Sequence, residues 1–140
     1  MALHAELVRY LDWCPEERCL LHGDFGFSNA LTKVDRLSGI LDWGLSLYGD
    51  PVYDVARMNF WAEAMPAGHI DWLSAFTEYR HTHNLPPFEN LSLRLHCYEL
   101  YHGLWHARYC ALTNQPRGIG WALHKAEAAA VALRAATRSL

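Results

Sequence analysis

The sequence has no excess of positive charge, no long apolar run, no CxxC pair, no internal repeat and no low-complexity tract. Each absence excludes a class of function. Twelve basic residues stand against fifteen acidic ones, for a net charge of -3, so the field that drives sequence-independent binding to nucleic acid is missing. No apolar stretch approaches the roughly 18 residues that a membrane span requires. The N-terminal segment MALHAELVRYLDW carries Glu6, Arg9 and Asp12 inside its apolar pattern, unlike a secretory leader, and the cytoplasm is the expected compartment. The cysteines, Cys14, Cys19, Cys97 and Cys110, are too few and too scattered for a disulfide scaffold. Cys14 with Cys19 offers one loose pair where a structural zinc needs two. Four free thiols are expected.

What is present is an ordinary globular composition: 140 residues, 51% hydrophobic and 19% charged. That length fits one domain, residues 1–140, with a real core. Leu3, Leu7, Tyr10 and Leu11 form one helical stripe, and Pro15 ends it. The apolar run Cys19-Leu20-Leu21 stops at His22-Gly23-Asp24. Residues 30–34 and 38–42 read as two short strands around a turn holding Asp35, Arg36 and Ser38. Asp50-Pro51 predicts a capped helix start, with Pro66 and Gly68 stopping that helix near Met65. Further helices are expected over about 69–83, from an Asn90 cap to about Leu112, and through the alanine-rich C-terminus. Asn114 to Gly120 reads as a loop. The predicted fold class is α+β and mainly helical, with a small β-hairpin early.

Chemistry concentrates in HGDFGFSNALTKVDRLSGILDWGLSLYGDPVYD, His22 to Asp54. Asp24 and Asn29 lie five apart in a polar turn after an apolar run, and Asp42 ends the following hairpin. Two carboxylates and an amide brought together by a hairpin make an all-oxygen site of the kind magnesium takes. Asn29 and Asp42 could hold the metal, leaving Asp24 to accept a proton from a hydroxyl. Taken singly, Asp24 and Asn29 also suit turns that bond their own backbone, and Asp42 a strand end.

The set His22-Gly23-Asp24, Asn29, Asp42-Trp43-Gly44, Gly49-Asp50-Pro51 and Asp54 resembles the catalytic region of the aminoglycoside phosphotransferase and choline-kinase-like family. The resemblance implies the C-terminal lobe of a protein-kinase-like fold, with ATP as co-substrate and Mg2+ as cofactor. It implies Asp24 as catalytic base, and Asn29 and Asp42 as metal ligands. His22 and Asp54 would support the catalytic loop structurally. HGDFG, and Asn59-Phe60-Trp61 in the next helix, are similar to the antibiotic-phosphorylating, hygromycin-kinase-like branch.

The implied function is transfer of the γ-phosphate of ATP to a hydroxyl of a small molecule, an aminoglycoside-like antibiotic or a metabolite. Nucleic acid and membrane are not expected partners. Only 21 residues precede His22, and no Gly-rich phosphate loop or VAIK-like strand is present. Lys33 and Lys125 stand in the wrong context to replace the phosphate-pairing lysine. The expectation is therefore a truncated product without the nucleotide-binding lobe, not competent alone and open to self-association through its exposed lobe face. A non-catalytic kinase-like binding module is the alternative, and a magnesium-dependent hydrolase would leave the GDPVYD segment unexplained. The substrate pocket is expected near Asp24 among the helices after residue 66. There Glu63, Asp71, Glu78 and Glu99 would either meet a cationic sugar or form a solvated face. His102 and His106, four apart, permit a metal but read better as a packed pocket wall. His81 and His83 are expected to face solvent, and the Gly118-Ile119-Gly120 run is given no nucleotide role.

Overall fold

A computed structural model describes residues 2–64 and 70–138. The described chain is mainly helical. Helix α1 (Ala2–Tyr10) is followed by a tight turn, Leu11–Trp13, and strand β1 (Cys19–Leu21). The hairpin β2 (Ala30–Lys33) and β3 (Arg36–Ile40) comes next, then β4 (Leu47–Gly49). The remainder is helical: α2 (Val52–Trp61), α3 (Trp72–Thr82), α4 (Leu91–Leu112) and α5 (Pro116–Thr137). This matches the α+β, mainly helical expectation and the C-terminal lobe of a kinase-like fold.

The core follows from helical spacing. On α4 the buried residues Leu93, Cys97, Leu100, Ala107 and Cys110 recur at three- and four-residue steps, with half-buried Leu104 completing the row. On α5 the matching row is Ala122, Ala126, Ala129 and Leu133. The connection between the helices is only three residues long, so they pack as an antiparallel pair. Small residues bring them close: a Cβ on Gly103 would stand 2.7 Å from the Ala126 Cβ. Leu7 and Tyr10 of α1 pack onto the same cluster. Val52 and Ala56 of α2 join Leu95 of α4 in a second cluster.

The β elements form two separate antiparallel pairs. β2 meets β3 with Ala30 opposite Ile40, and β1 meets β4 with Leu21 opposite Leu47. The second pair is absent from the sequence reading, because a three-residue strand carries too little alternation to recognise. It closes the chain around the hairpin, so that Leu21, just before His22, is paired to the segment that leads into α2.

Three local expectations change. The loop expected over Asn114–Gly120 is mostly the first turn of α5, which starts at Pro116. Proline is pre-shaped for that position, and Gly118 sits where any Cβ would come within 2.5 Å of the Cys110 sulfur. Asn90 does not cap α4 with its side chain; it adopts a left-handed backbone, φ 50°. Helix α3 starts at Trp72, capped by Asp71, whose carboxylate accepts from Ser74 N at 2.9 Å. The expected helix stop at Met65, Pro66 and Gly68 lies outside the described residues.

Candidate active site

The HGD turn is built on α2. Asp54, one turn into that helix, accepts the backbone N–H of His22 at 2.7 Å and of Gly23 at 2.9 Å, one on each carboxylate oxygen. The helix N-terminus further favours its negative charge. Gly23 has φ 78°, and a Cβ there would lie 2.1 Å from the Leu45 carbonyl oxygen, so only glycine fits. His22 is buried and bridges two loops. Its Nδ1 accepts from Asp24 N at 3.2 Å while its Nε2 lies 2.7 Å from the Leu41 carbonyl. One tautomer, with the proton on Nε2, satisfies both bonds. The Trp43 ring packs on the imidazole at 4.8 Å between centroids. His22 thus ties the HGD turn to the end of the hairpin.

Asn29 and Asp42 flank the mouth of that hairpin. Leu41 N donates to Asn29 O at 2.8 Å, which puts Asn29 beside the residue preceding Asp42. The Asn29 side chain donates through Nδ2 to Asp24 O at 2.8 Å, leaving its oxygen Oδ1 free of that bond. Asp42 has a left-handed backbone, φ 56°, a conformation held at cost by its surroundings. It is exposed, and its Oδ1 lies close over Gly44. The amide oxygen and the carboxylate make an oxygen donor set that suits a hard cation such as magnesium. Asp24, Asn29 and Asp42 therefore fall in one neighbourhood.

Asp24 has a partner that the sequence reading does not name. Its Oδ1 is ion-paired to Arg57 Nη2 of α2, so one carboxylate oxygen is held. Arg57 went unrecognised because an arginine in an amphipathic helix carries no motif. Its only sequence signal is its spacing, three residues after Asp54 on the same helix face. A cavity of about 510 Å³ opens beside this pair, lined by Asp24, Phe25, Gly26, Phe27, Arg57 and Trp61 among others. Arg57 Nε and Trp61 Nε1 are buried N–H donors without an acceptor among the described residues.

Arg57 also borders a smaller cavity of about 260 Å³ with Tyr53, Tyr101, His102 and Trp105. Burial lowers the His102 pKa to about 4; a bond to the Tyr53 carbonyl opposes this and the Arg57 charge assists it. His106 is lowered by burial and by Arg57 as well. Burial, then neighbouring Tyr101, pushes the Tyr53 hydroxyl upward. His102 and His106 are therefore wall residues: Tyr53 and Phe60 flank the first, Trp61 and Trp121 the second. No group of three His, Cys, Asp or Glu side chains suited to a metal occurs among the described residues.

The acids that would meet a cationic sugar or form a solvated face stand away from Asp24: Glu63 and Glu99 border a separate cavity of about 310 Å³, and Glu78 an open groove. None of Glu63, Asp71, Glu78 and Glu99 lines the space at Asp24. Glu99 accepts from Asn59 Nδ2 and pairs with His96 at 2.9 Å, Glu63 lies 3.5 Å from Lys125, and Asp71 caps α3. Glu63, Asp71 and Glu78 are exposed, the solvated-face alternative, while the wall at Asp24 is aromatic. His81 and His83 are exposed, as expected.

The family model described as "Phosphotransferase enzyme family" matches residues 2–88. The curated hygromycin-B 4-O-kinase of Escherichia coli is 33% identical over 101 residues, covering 71% of this chain and 29% of that protein. Acyl-CoA dehydrogenase family member 11 of Rattus norvegicus is 38% identical over 65 residues, 43% of this chain and 8% of its own length. Among solved structures, a thermostable mutant of aminoglycoside phosphotransferase APH(4)-Ia, in ternary complex with AMP-PNP and hygromycin B, superposes with a TM-score of 0.74. It is 28% identical, and the match covers 93% of this chain and 42% of that one. The chain thus spans less than half the length of these relatives.

Proposed function

The chain belongs to the phosphotransferase enzyme family, and on that premise we propose that it forms the catalytic lobe of an ATP-dependent kinase for a small hydroxylated molecule. Asp24 is the general base, Asn29 and Asp42 the magnesium ligands, and His22 and Asp54 the supports of the loop. The observation that supports the reading is the set of bonds at the hairpin mouth: His22 links Asp24 to Leu41, the residue before Asp42, and Asn29 bonds both Asp24 O and Leu41 N. The relatives' names support an aminoglycoside-like acceptor.

Magnesium, when bound, would neutralise charge on the transferring phosphoryl group. The protein's own part is positioning. Arg57 grips one oxygen of Asp24, which orients the carboxylate and leaves Oδ2 for an acceptor hydroxyl. The proton of that hydroxyl passes to Asp24 as its oxygen bonds to the γ-phosphorus of ATP and the bond to the departing ADP breaks. The aromatic wall of Phe25, Phe27 and Trp61 suits the apolar face of a sugar ring. The same reading gives the chain a tendency to self-associate through exposed Leu20, Leu37, Leu45 and Tyr48.

The test joins this chain to the remaining segment of hygromycin-B 4-O-kinase and measures phosphate transfer from ATP to hygromycin B, alongside the 140-residue chain alone. We expect transfer only from the joined form. Within it, Asp24→Ala should lower kcat by about 10² to 10⁴-fold with KM little changed. A variant within threefold of the unsubstituted kcat removes Asp24 as the base. Micromolar ATP binding with turnover by the 140-residue chain would show that a segment within it already supplies the nucleotide clamp.

A further inference from the structure

Arg57 sets the charge of the space beside Asp24. Asp24 and Arg57 are the charged residues lining that cavity of about 510 Å³, and they are ion-paired to one another. Both are drawn back from water, with side chains 32% and 16% exposed. The rest of the lining is apolar or small, chiefly Phe25, Phe27 and Trp61. Asp42 does not line it, and residues 65–69 carry no acid. Formal charge at this wall is therefore balanced, with no spare carboxylate among the described residues. The field of Arg57 also reaches neighbouring rings. His102 borders the smaller cavity that Arg57 shares, and the His106 ring meets Trp61 at 4.7 Å between centroids. Burial first, and Arg57 with it, holds both imidazoles below their ordinary value, so both are neutral near pH 7. An acceptor amine beside Arg57 meets the same field.

An amine and a hydroxyl would compete for Asp24. A free ammonium paired with its carboxylate would block the oxygen that has to accept the hydroxyl proton. Arg57 fills the cationic place instead and leaves Oδ2 to the hydroxyl. We propose that Arg57 is a specificity-determining residue, which selects acceptors whose reacting hydroxyl lies beside an apolar ring face and away from free amines. The proposal rests on the kinase reading above and narrows its acceptor class. The acceptor is a polyhydroxylated molecule of low positive charge, seated on Phe25, Phe27 and Trp61. Glu63 and Glu99, the acids that would draw a polycation, line a separate cavity.

The test uses the joined form described above with hygromycin B and two derivatives of similar bulk. The N-acetylated derivative has neutral amides, and the N-ethylated one keeps the charged amines. Phosphate transfer from ATP gives kcat and KM for each, and isothermal titration gives binding apart from turnover. We expect kcat/KM for the acetylated derivative to exceed that for the ethylated one by about tenfold, mainly through KM. In Arg57→Gln the unneutralised Asp24 carboxylate should draw the amines, and the ratio should fall to one or below. The ratio is read within one variant, so a loss of kcat from a loosened Asp24 cancels. Arg57→Lys, which keeps the charge, should keep most of the preference. An ethylated derivative used as well as the acetylated one, hygromycin B used when neither derivative is, or a ratio unchanged in Arg57→Gln would overturn Arg57 as the selector. If Arg57→Gln fails to fold by circular dichroism, the ratio in the unsubstituted enzyme still decides. Tenfold tighter binding of the acetylated derivative without any transfer would remove the kinase reading and keep the charge selection. Transfer without that preference would do the reverse.

Discussion

The segment from Cys19 to Gly49 and the pair α4–α5 are held together in opposite ways. In the first, Leu20, Leu31, Val34, Leu37, Leu41 and Tyr48 are all exposed, so apolar burial contributes little. Its shape comes from a few polar bonds: Asp54 to the HGD turn, His22 to Leu41, Asn29 to Asp24. In the second, Leu100, Leu133, Cys97 and Ala126 are fully buried, and shape follows from volume. The two halves meet at α2 and the turn before it. Asp50 caps α2 and reaches Arg94, Asp54 grips the HGD turn, and Arg57 grips Asp24. A region with little core can hold precise chemistry when a rigid helix supplies its anchors.

The largest stability effect should come from cutting the polar link between the halves. Arg94 bonds Asp50 through Nε at 2.8 Å and through Nη2, and it reaches Glu17 at 3.1 Å. Burial works against its charge, but Asp50 and then Glu17 hold its pKa above the ordinary value. Arg94→Met leaves the Asp50 carboxylate buried and unpaired, which should cost about 3–5 kcal/mol in urea unfolding. Adding Asp50→Asn should recover part of that loss. A cost below about 1 kcal/mol would mean that the halves do not depend on this link.

Next comes a pH effect at the α2–α4 contact. His102 has a folded pKa of about 4 against an ordinary value of 6.5, so the unfolded chain binds more protons between those values. Its contribution is fully present above pH 6.5 and is lost as pH falls toward 4. The shift corresponds to about 3 kcal/mol. Unfolding free energies at pH 7.5 and 4.5, compared between the unsubstituted chain and His102→Gln, isolate this share from that of the carboxylates. Parallel pH dependences in the two would refute the assignment.

The smallest effects come from one methyl group in each half. At Gly103 a Cβ would stand 2.7 Å from the Ala126 Cβ, so Gly103→Ala should wedge α4 from α5 and cost about 1–3 kcal/mol. Gly23→Ala adds left-handed strain of about 1–2 kcal/mol and a clash with Leu45 O. The two differ in where the damage appears. Hydrogen exchange should speed up at the His22 and Gly23 amides in Gly23→Ala, and along the α4–α5 seam in Gly103→Ala. Identical exchange patterns would erase the contrast between the halves.

Much of this organisation is legible in the residues. The five positions His22, Asp24, Asn29, Asp42 and Asp54 stand out together because their types and spacings are unusual as a set. The long helices are legible from three- and four-residue recurrence. Gly118 and Gly120 mislead: they read as loop, yet they lie in α5 because Gly118 must admit the Cys110 sulfur. Asn90 misleads likewise, having the right residue type for a cap but a left-handed backbone.

The sequence by itself determined the family, the mainly helical class and the cluster of chemical residues, since each depends on local pattern and composition. Tertiary structure alone decided which partners those residues meet: Arg57 on Asp24, Arg94 on Asp50, and an aromatic wall beside Asp24. Such pairs join elements distant in the chain. A lone arginine in a helix has no periodicity that names its partner, and only the packing of α2 and α4 against the rest of the chain brings the two members together.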